Sequence, residues 1–307
     1  MWRRSSRFSD VLSVVAAVAA IAIPTRARAQ ACCAGGSAIT PARLEPHELA
    51  LVGAELRAGG VLGSYATDGK FASNPRGATE FDFEEDLFGA LRFLRRGQGA
   101  LLVPVIETQR QTSRDGGHLG GGVGDINASA RYDFVVAGES QYVPGIALLA
   151  GVTFPTGRSP ESATAPLAVD ATGIGAWQVN AALGLEQIYG SWLVNATAIV
   201  AKRTPRFGET LGTQVTLLAA GGYTFQNDAA LALSASYAFE GDATNSDGTV
   251  AADSSKRLST VSLSLLWPLG DWMRLVGGLY VEPPISGLGS NQPSVSGLTL
   301  TWIRSWS

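Results

Sequence analysis

The stretch Ile126-Asn127-Ala128-Ser129-Ala130-Arg131-Tyr132-Asp133-Phe134 changes character at every residue. Ile126, Ala128, Ala130, Tyr132 and Phe134 share one parity; Asn127, Ser129, Arg131 and Asp133 share the other. Successive side chains of a strand point to opposite faces, so the pattern predicts a strand with one apolar and one polar face. The same period returns further on. Trp177, Val179, Ala181, Leu183 and Leu185 oppose Gln178, Asn180, Ala182, Gly184 and Glu186, while Val261, Leu263, Leu265 and Trp267 oppose Ser262 and Ser264.

Carried along the chain, the pattern predicts twelve strands, at 49–66, 79–95, 99–112, 121–137, 141–155, 173–188, 190–203, 212–226, 228–241, 256–268, 271–283 and 294–306. A soluble sandwich alternates in the same way, so the connectors decide. Arg96-Gly97-Gln98, Ala137-Gly138-Glu139-Ser140, Tyr189-Gly190, Gln226-Asn227-Asp228 and Pro268-Leu269-Gly270-Asp271 are tight links with turn chemistry. Between them lie longer polar segments at 67–78, 113–120, 156–172, 204–211, 242–254 and 284–293. Short and long links alternate throughout. That is the arrangement of an all-β, 12-stranded antiparallel up-and-down transmembrane barrel, with tight turns in the periplasm and larger loops outside.

Aromatic residues agree with that orientation. Tyr132, Phe134, Trp192, Tyr223, Phe225, Trp267 and Trp272 stand beside the short links, where an interfacial girdle belongs. Leu298, Leu300, Trp302 and Trp306 share one parity at the C-terminus, with Trp306 followed by Ser307.

The N-terminus has a basic start (Arg3, Arg4, Arg7), an apolar run from Val11 to Pro24 and an Ala27-Arg28-Ala29 ending. These are the parts of a secretory signal peptide, with cleavage expected after Ala29. The expected division is signal peptide 1–29, periplasmic segment 30–48 and outer-membrane barrel 49–307. Cys32 invites a lipoprotein reading, which the bulky polar Gln30 and the lack of Leu or Ile three positions upstream disfavour. Losing 1–29 removes five arginines and one aspartate and moves the formal charge from −3 to −7. An acidic exported chain is a poor match for nucleic acid. Hydrophobic residues make up 46% and charged residues only 16%, with no later run able to span a bilayer as a helix. Cys32 and Cys33 are adjacent, so they cannot staple distant segments.

Three motifs stand in order: Gly122-Val123-Gly124-Asp125-Ile126, Gly151-Val152-Thr153-Phe154-Pro155-Thr156-Gly157 and Thr172-Gly173-Ile174-Gly175-Ala176-Trp177. Over about residues 120–200 the chain resembles the outer-membrane family called "MetA-pathway of phenol degradation". The resemblance implies a barrel and a transport role for small hydrophobic or aromatic compounds. The motifs also have a physical reading that needs no transport, because glycine permits the turns and bulges found where strands meet loops.

The polar parity places Glu55, Arg57, Asp82, Glu84, Asp86, Arg92, Arg131, Asp133, Glu186, Arg203, Glu240 and Arg274 on the lumen face. These charges either pair across a filled lumen or set the selectivity of an open one, where the Asp82, Glu84, Asp86 row would favour cations or neutral solutes. The two readings remain side by side at this point. Residues 30–48 are expected as a tail at the periplasmic mouth rather than a plug.

No residue pattern calls for a cofactor, a metal or a catalytic centre. Aligning Gly248 with the invariant glycine of a calcium loop puts Ala243 and Ser254 at its end ligands, which fails. Asp115, His118 and Asp125 flank glycines and read as a flexible loop tip. His47 and His118, the only histidines, lie off the strands, and no Gly-x-Ser-x-Gly elbow or His-Glu-x-x-His motif is present. The expected partners are outer-membrane lipid, lipopolysaccharide, the barrel-insertion machinery and a small-molecule solute, for a monomeric channel or, alternatively, a closed barrel working through its outer loops.

Overall fold

The computed structural model describes residues 42–140 and 142–307. The expected signal peptide and Cys32-Cys33 lie outside the described residues. Twelve strands form the wall: β1 (Ala50–Tyr65), β2 (Thr79–Leu94), β3 (Gly97–Gln111), β4 (His118–Val123 and Ile126–Val135), β5 (Gly145–Phe154) and β6 (Gln178–Tyr189). The second half follows as β7 (Trp192–Arg203), β8 (Gln214–Thr224), β9 (Ala230–Glu240), β10 (Lys256–Pro268), β11 (Met273–Val281) and β12 (Pro293–Trp306). Each pairs antiparallel with its neighbours in sequence. β1 then pairs with β12, from Ala50↔Trp306 to Ser64↔Pro293, and the barrel closes.

The exterior carries the apolar parity. Leu56, Leu87, Leu101, Leu148, Leu183, Val200, Leu217, Leu233, Leu263, Leu279 and Leu298 form an exposed band around eleven strands. Such a surface is stable only against hydrocarbon, and closure leaves no unpaired sheet edge for the lipid to meet. At the periplasmic rim Tyr132 packs edge-on against Phe134 at 5.0 Å, and Trp192 against Tyr223 at 5.0 Å. Near the outer rim Phe154 and Trp177 pair at 5.1 Å. This is an outer-membrane β-barrel.

Three local expectations are corrected. The link predicted as tight at 137–140 spans 136–144, whereas the outer loop predicted at 113–120 shrinks to 112–117. Both changes come from β4. His118, Leu119 and Gly120 are paired with Arg110, Gln109 and Thr108 of β3, so the strand climbs into the predicted loop. At its lower end the register slips between Asp133 and Val135, and the strand ends early. Residues 173–177, expected as the start of β6, remain in the loop because the backbone of Ile174 is engaged elsewhere and Gly175 sits at φ +75°.

Candidate functional site

The lumen is bounded at both ends by the chain itself. At the periplasmic end residues 42–48 cross the mouth as a strap. Leu44 N–H donates to Gln98 Oε1 at 3.0 Å, and Gln98 Nε2 donates back to the Ala42 carbonyl at 3.1 Å. Arg43 reaches Glu186 on β6 at 2.6 Å. Arg274 on β11 holds Glu45 at 2.9 Å and Glu48 at 2.8 Å. Arg92 on β2 donates to the carbonyls of Glu48 (2.8 Å) and Glu45 (2.6 Å). Ala42 and Leu44 are buried with Leu51, Phe88, Ala90 and Ile303. Leu193, Ala230, Ala232, Leu266 and Val276 form a second apolar cluster on β7, β9, β10 and β11. Against the expectation of a tail, the described part of the segment is seated inside the mouth.

Glu48 is 1% exposed. Burial alone would push its carboxyl upward, but the Arg274 charge and hydrogen bonds outweigh this and hold it below the ordinary value. The ligand atoms of Glu45, His47 and Glu48 lie within 4.8 Å of one another, a spacing open to a metal ion. Arg274 already occupies both carboxylates.

At the outer end the loop 155–177 folds inward. Three motifs singled out in the sequence meet there. Asp125 accepts from Gly157 N–H at 2.9 Å and Ile174 N–H at 2.6 Å. Thr156 Oγ1 donates to the Gly124 carbonyl at 2.7 Å, and Thr172 Oγ1 donates to the Val123 carbonyl at 2.8 Å. The glycines permit this closeness: a Cβ on Gly157 would come 2.8 Å from Gly173 Cα, and one on Gly120 would come 2.6 Å from Val169 Cγ2. Val169 is buried against β4, and Arg110 on β3 donates to the carbonyls of Leu167 (2.9 Å) and Ala168 (3.1 Å). Both of those residues have positive φ, a conformation that costs energy outside glycine and needs such support. Farther out, the Thr164 N–H, the Ala165 N–H and the Arg158 guanidinium hold the Asp170 carboxyl well below the usual range.

Between strap and loop lies a cavity of about 400 Å³. Its wall alternates aliphatic groups (Ala100, Leu102, Leu149, Ala182, Ile199, Leu218) with amides and hydroxyls (Asn127, Ser129, Gln178, Asn180, Asn195, Thr197, Gln214, Thr216), and the paired charges Arg131 and Glu186 also line it. Among the described residues, no aromatic side chain lines it. Asn195 Oδ1 is buried there without a hydrogen-bond partner among the described residues. Ala42 and Arg43 of the strap belong to the lining. A second space of about 370 Å³, lined by Arg203, Arg206, Glu240, Lys256 and Arg257, opens toward the outer mouth.

The charges fall into two sets. Arg57 meets Glu84 at 3.5 Å, Glu55 accepts from Thr301 Oγ1 at 2.8 Å, and Asp82 accepts from Thr108 Oγ1 at 2.8 Å. Asp86 stands beside Glu55 in register, with Oδ1 unpartnered among the described residues. Across the lumen Arg131 holds Asp133 at 2.7 Å and approaches Glu186 at 3.8 Å, while Arg203 binds Glu240 at 2.5 Å. The latter arginine also donates to Gln178 and Gln214. Arg92 and Arg274 are taken up by the strap.

Asp115 and Asp125, grouped in the sequence with His118, serve different structures. Asp115 accepts from Thr112 within its own turn, Asp125 holds the inward loop, and His118 faces Arg110 on the strand ladder. Asp247 accepts from Thr249 N–H and Oγ1, and Asp242 from Ser255 N–H, so these carboxylates close local turns. The sequence places Arg92, Glu186 and Arg274 on the lumen face but not their pairing with the strap, since no spacing signal links Glu45 to a residue as distant as Arg274.

The fold and lumen define the class: a 12-stranded outer-membrane barrel with an internal chamber. No protein-family model matches the chain, and no curated protein matches it. Among solved structures it is similar to an outer membrane channel from Pseudomonas putida F1, at 15% identity and TM-score 0.70, covering 86% of this chain and 97% of that one. It is also similar to the translocator domain of the autotransporter NalP from Neisseria meningitidis, at 11% identity and TM-score 0.49, covering 84% and 88%. For the NanC porin the figures are 7% identity, TM-score 0.46, and 82% and 99% coverage. At these identities the likeness concerns the barrel fold.

Proposed function

We propose that the protein is a monomeric outer-membrane channel for small, hydrophobic or aromatic solutes, without catalytic activity. The observation that carries this reading is the chamber. Most charges along the lumen are neutralised by a partner, so the wall offers a solute aliphatic surface, amides and hydroxyls. Such a surface suits an uncharged molecule with an apolar body, for which paired charges impose little desolvation cost. The channel from Pseudomonas putida F1 shares the fold. The resemblance to the phenol-degradation family points to the same solute class. Lumen acids on β1 and β2, with Asp86 and Glu55 adjacent, disfavour anions in this reading.

Reconstituted protein in planar bilayers and in liposomes tests it. Discrete conductance together with faster swelling in neutral aromatic solutes is expected. Absence of both, with correctly inserted barrel, would overturn it. A second reading is favoured by the occlusion at both ends: a closed barrel that works through its outer loops at the lipopolysaccharide surface. It predicts no conductance under any condition, and loop deletions that abolish function while leaving the barrel intact.

A further inference from the structure

We propose that residues 42–48 form a hinged gate at the periplasmic mouth, leaving and re-seating as a unit about Leu49. The inference rests on the channel reading above and adds where the path to the periplasm opens. Four observations carry it.

The strap blocks the floor of the chamber, since Ala42 and Arg43 belong to its lining. It is spanned rather than merely capped: Arg43 is tied to Glu186 on β6, while Glu45 and Glu48 are tied to Arg274 on β11.

The attachment is made by side chains. Among the described residues, no backbone-to-backbone hydrogen bond joins 42–48 to the barrel. The first such bond, Leu49 N–H to the Trp306 carbonyl at 2.7 Å, marks where the wall begins. Side-chain bonds to charged groups exchange for water without tearing a ladder, whereas a strand cannot be peeled away in lipid.

The strap is internally braced. Glu48 N–H donates to the Glu45 carbonyl at 3.0 Å, and Glu45 N–H donates to Glu48 Oε2 at 2.8 Å. It therefore moves as a folded turn, with Pro46 and His47 exposed at its tip. Only Ala42 and Leu44 anchor it by apolar burial.

The partners left behind tolerate its departure. Arg92, Gln98, Glu186 and Arg274 line an aqueous mouth once the strap has gone, so each can be hydrated. Removing Arg274 while the strap stays seated is the costly case, because Glu45 and Glu48 are then buried without their cation.

The experiment uses the folded, full-length mature barrel with Cys32 and Cys33 replaced by serine, so that Leu44→Cys supplies the single thiol. Leu44 is 4% exposed, and a polyethylene-glycol maleimide reaches it only when the strap swings out. Measurable labelling of the folded barrel is expected, accelerated roughly tenfold by Arg274→Gln. Labelling that stays negligible in both proteins overturns the gate, whatever the barrel conducts. A second variant reads passage directly. Ala42→Cys and Ala100→Cys, in a region where Ala100 packs against the cluster holding Ala42, are joined by a short bis-methanethiosulfonate, each thiolate forming a disulfide as it displaces methanesulfinate. Loss of conductance on cross-linking, with recovery on reduction, is expected. Undiminished conductance through the cross-linked barrel overturns the gate. Labelling of Leu44→Cys in a barrel that never conducts leaves the moving strap in place and removes the channel reading instead.

Discussion

The two ends of the lumen are closed by different chemistry. At the outer end Asp125 takes two backbone N–H groups of the inward loop, and glycines at 157 and 173 let the chain approach within contact of itself. At the periplasmic end the strap is held by guanidinium and amide side chains around a turn that keeps its own internal bonds. The first closure is part of the wall; the second is laid against it. A barrel that must stay sealed to lipid can move only where no ladder is broken, and that condition is met at the strap.

The sharpest way to break this contrast is at Asp125. Asp125→Ala removes the acceptor for Gly157 and Ile174 and leaves their N–H groups without it, a loss of about 3 kcal/mol for two charge-assisted bonds. The unfolding midpoint of the detergent-folded barrel should fall accordingly. A midpoint that does not move would make the outer closure as loosely held as the inner one.

Arg274→Gln comes next. Because the strap can leave, the unfolding midpoint should shift by only about 1.4 kcal/mol, the equivalent of the tenfold gain in labelling, whereas a buried pair broken in a rigid core costs two to three times more. A shift as large as that of Asp125→Ala would make the strap an integral part of the wall.

Glu282, just past β11, is pushed up to about 7 by burial, against the opposing pull of the Val295 N–H and Arg57. The unfolded chain gives up this proton near the ordinary value of 4.5, before the folded protein does. Stability therefore falls as pH rises from 4.5 toward 7, by an amount on the order of 1 kcal/mol for a partly exposed group. Glu282→Gln should flatten that slope in pH-dependent unfolding, and an unchanged slope would exclude Glu282 as its source.

Acid should have the smallest effect at the strap. Glu48 is held below its ordinary value, so its contribution is fully present above 4.5 and is lost only as pH falls through its lowered folded value. Among its neighbours Glu45, His47, Arg92 and Arg274, the permanent Arg274 cation holds the carboxylate charged. Labelling of Leu44→Cys, corrected for the intrinsic rate of a free thiol, should be flat from pH 8 to 5, within the range where ordinary carboxylates stay ionised. A rise above pH 5 would place a different titrating group in control.

Much of the fold was legible because lipid imposes period two on every wall strand. Leu183 and Leu185 must face out whatever the neighbouring strands do, and Gln178 and Asn180 must then face in. Tertiary contacts were not legible from the same signal. Gly120 reads as the end of a loop because glycine weakens an isolated strand. Its reason is the Val169 side chain lying against Gly120, supplied from another loop. Glu45 and Glu48 precede the first strand and belong to no period at all. The Gly124-Asp125, Pro155-Thr156-Gly157 and Thr172-Gly173 motifs were visible individually, and their convergence into one clasp needed the barrel to bring three strand ends together.

The seam between β1 and β12 also governs how the barrel can form. Glu55 accepts from Thr301 Oγ1 across that seam, a contact 246 residues apart in the chain. Closing so long a span carries a large entropic cost that local hairpins do not share, so hairpins from β2 through β11 can assemble while the ring is still open. The strap precedes β1 directly and contacts β2, β3, β6 and β11. Seating it before the seam joins lets it enter sideways; seating it afterward requires the periplasmic opening that it later guards. The final strand thus sets the moment at which the chamber first acquires a floor.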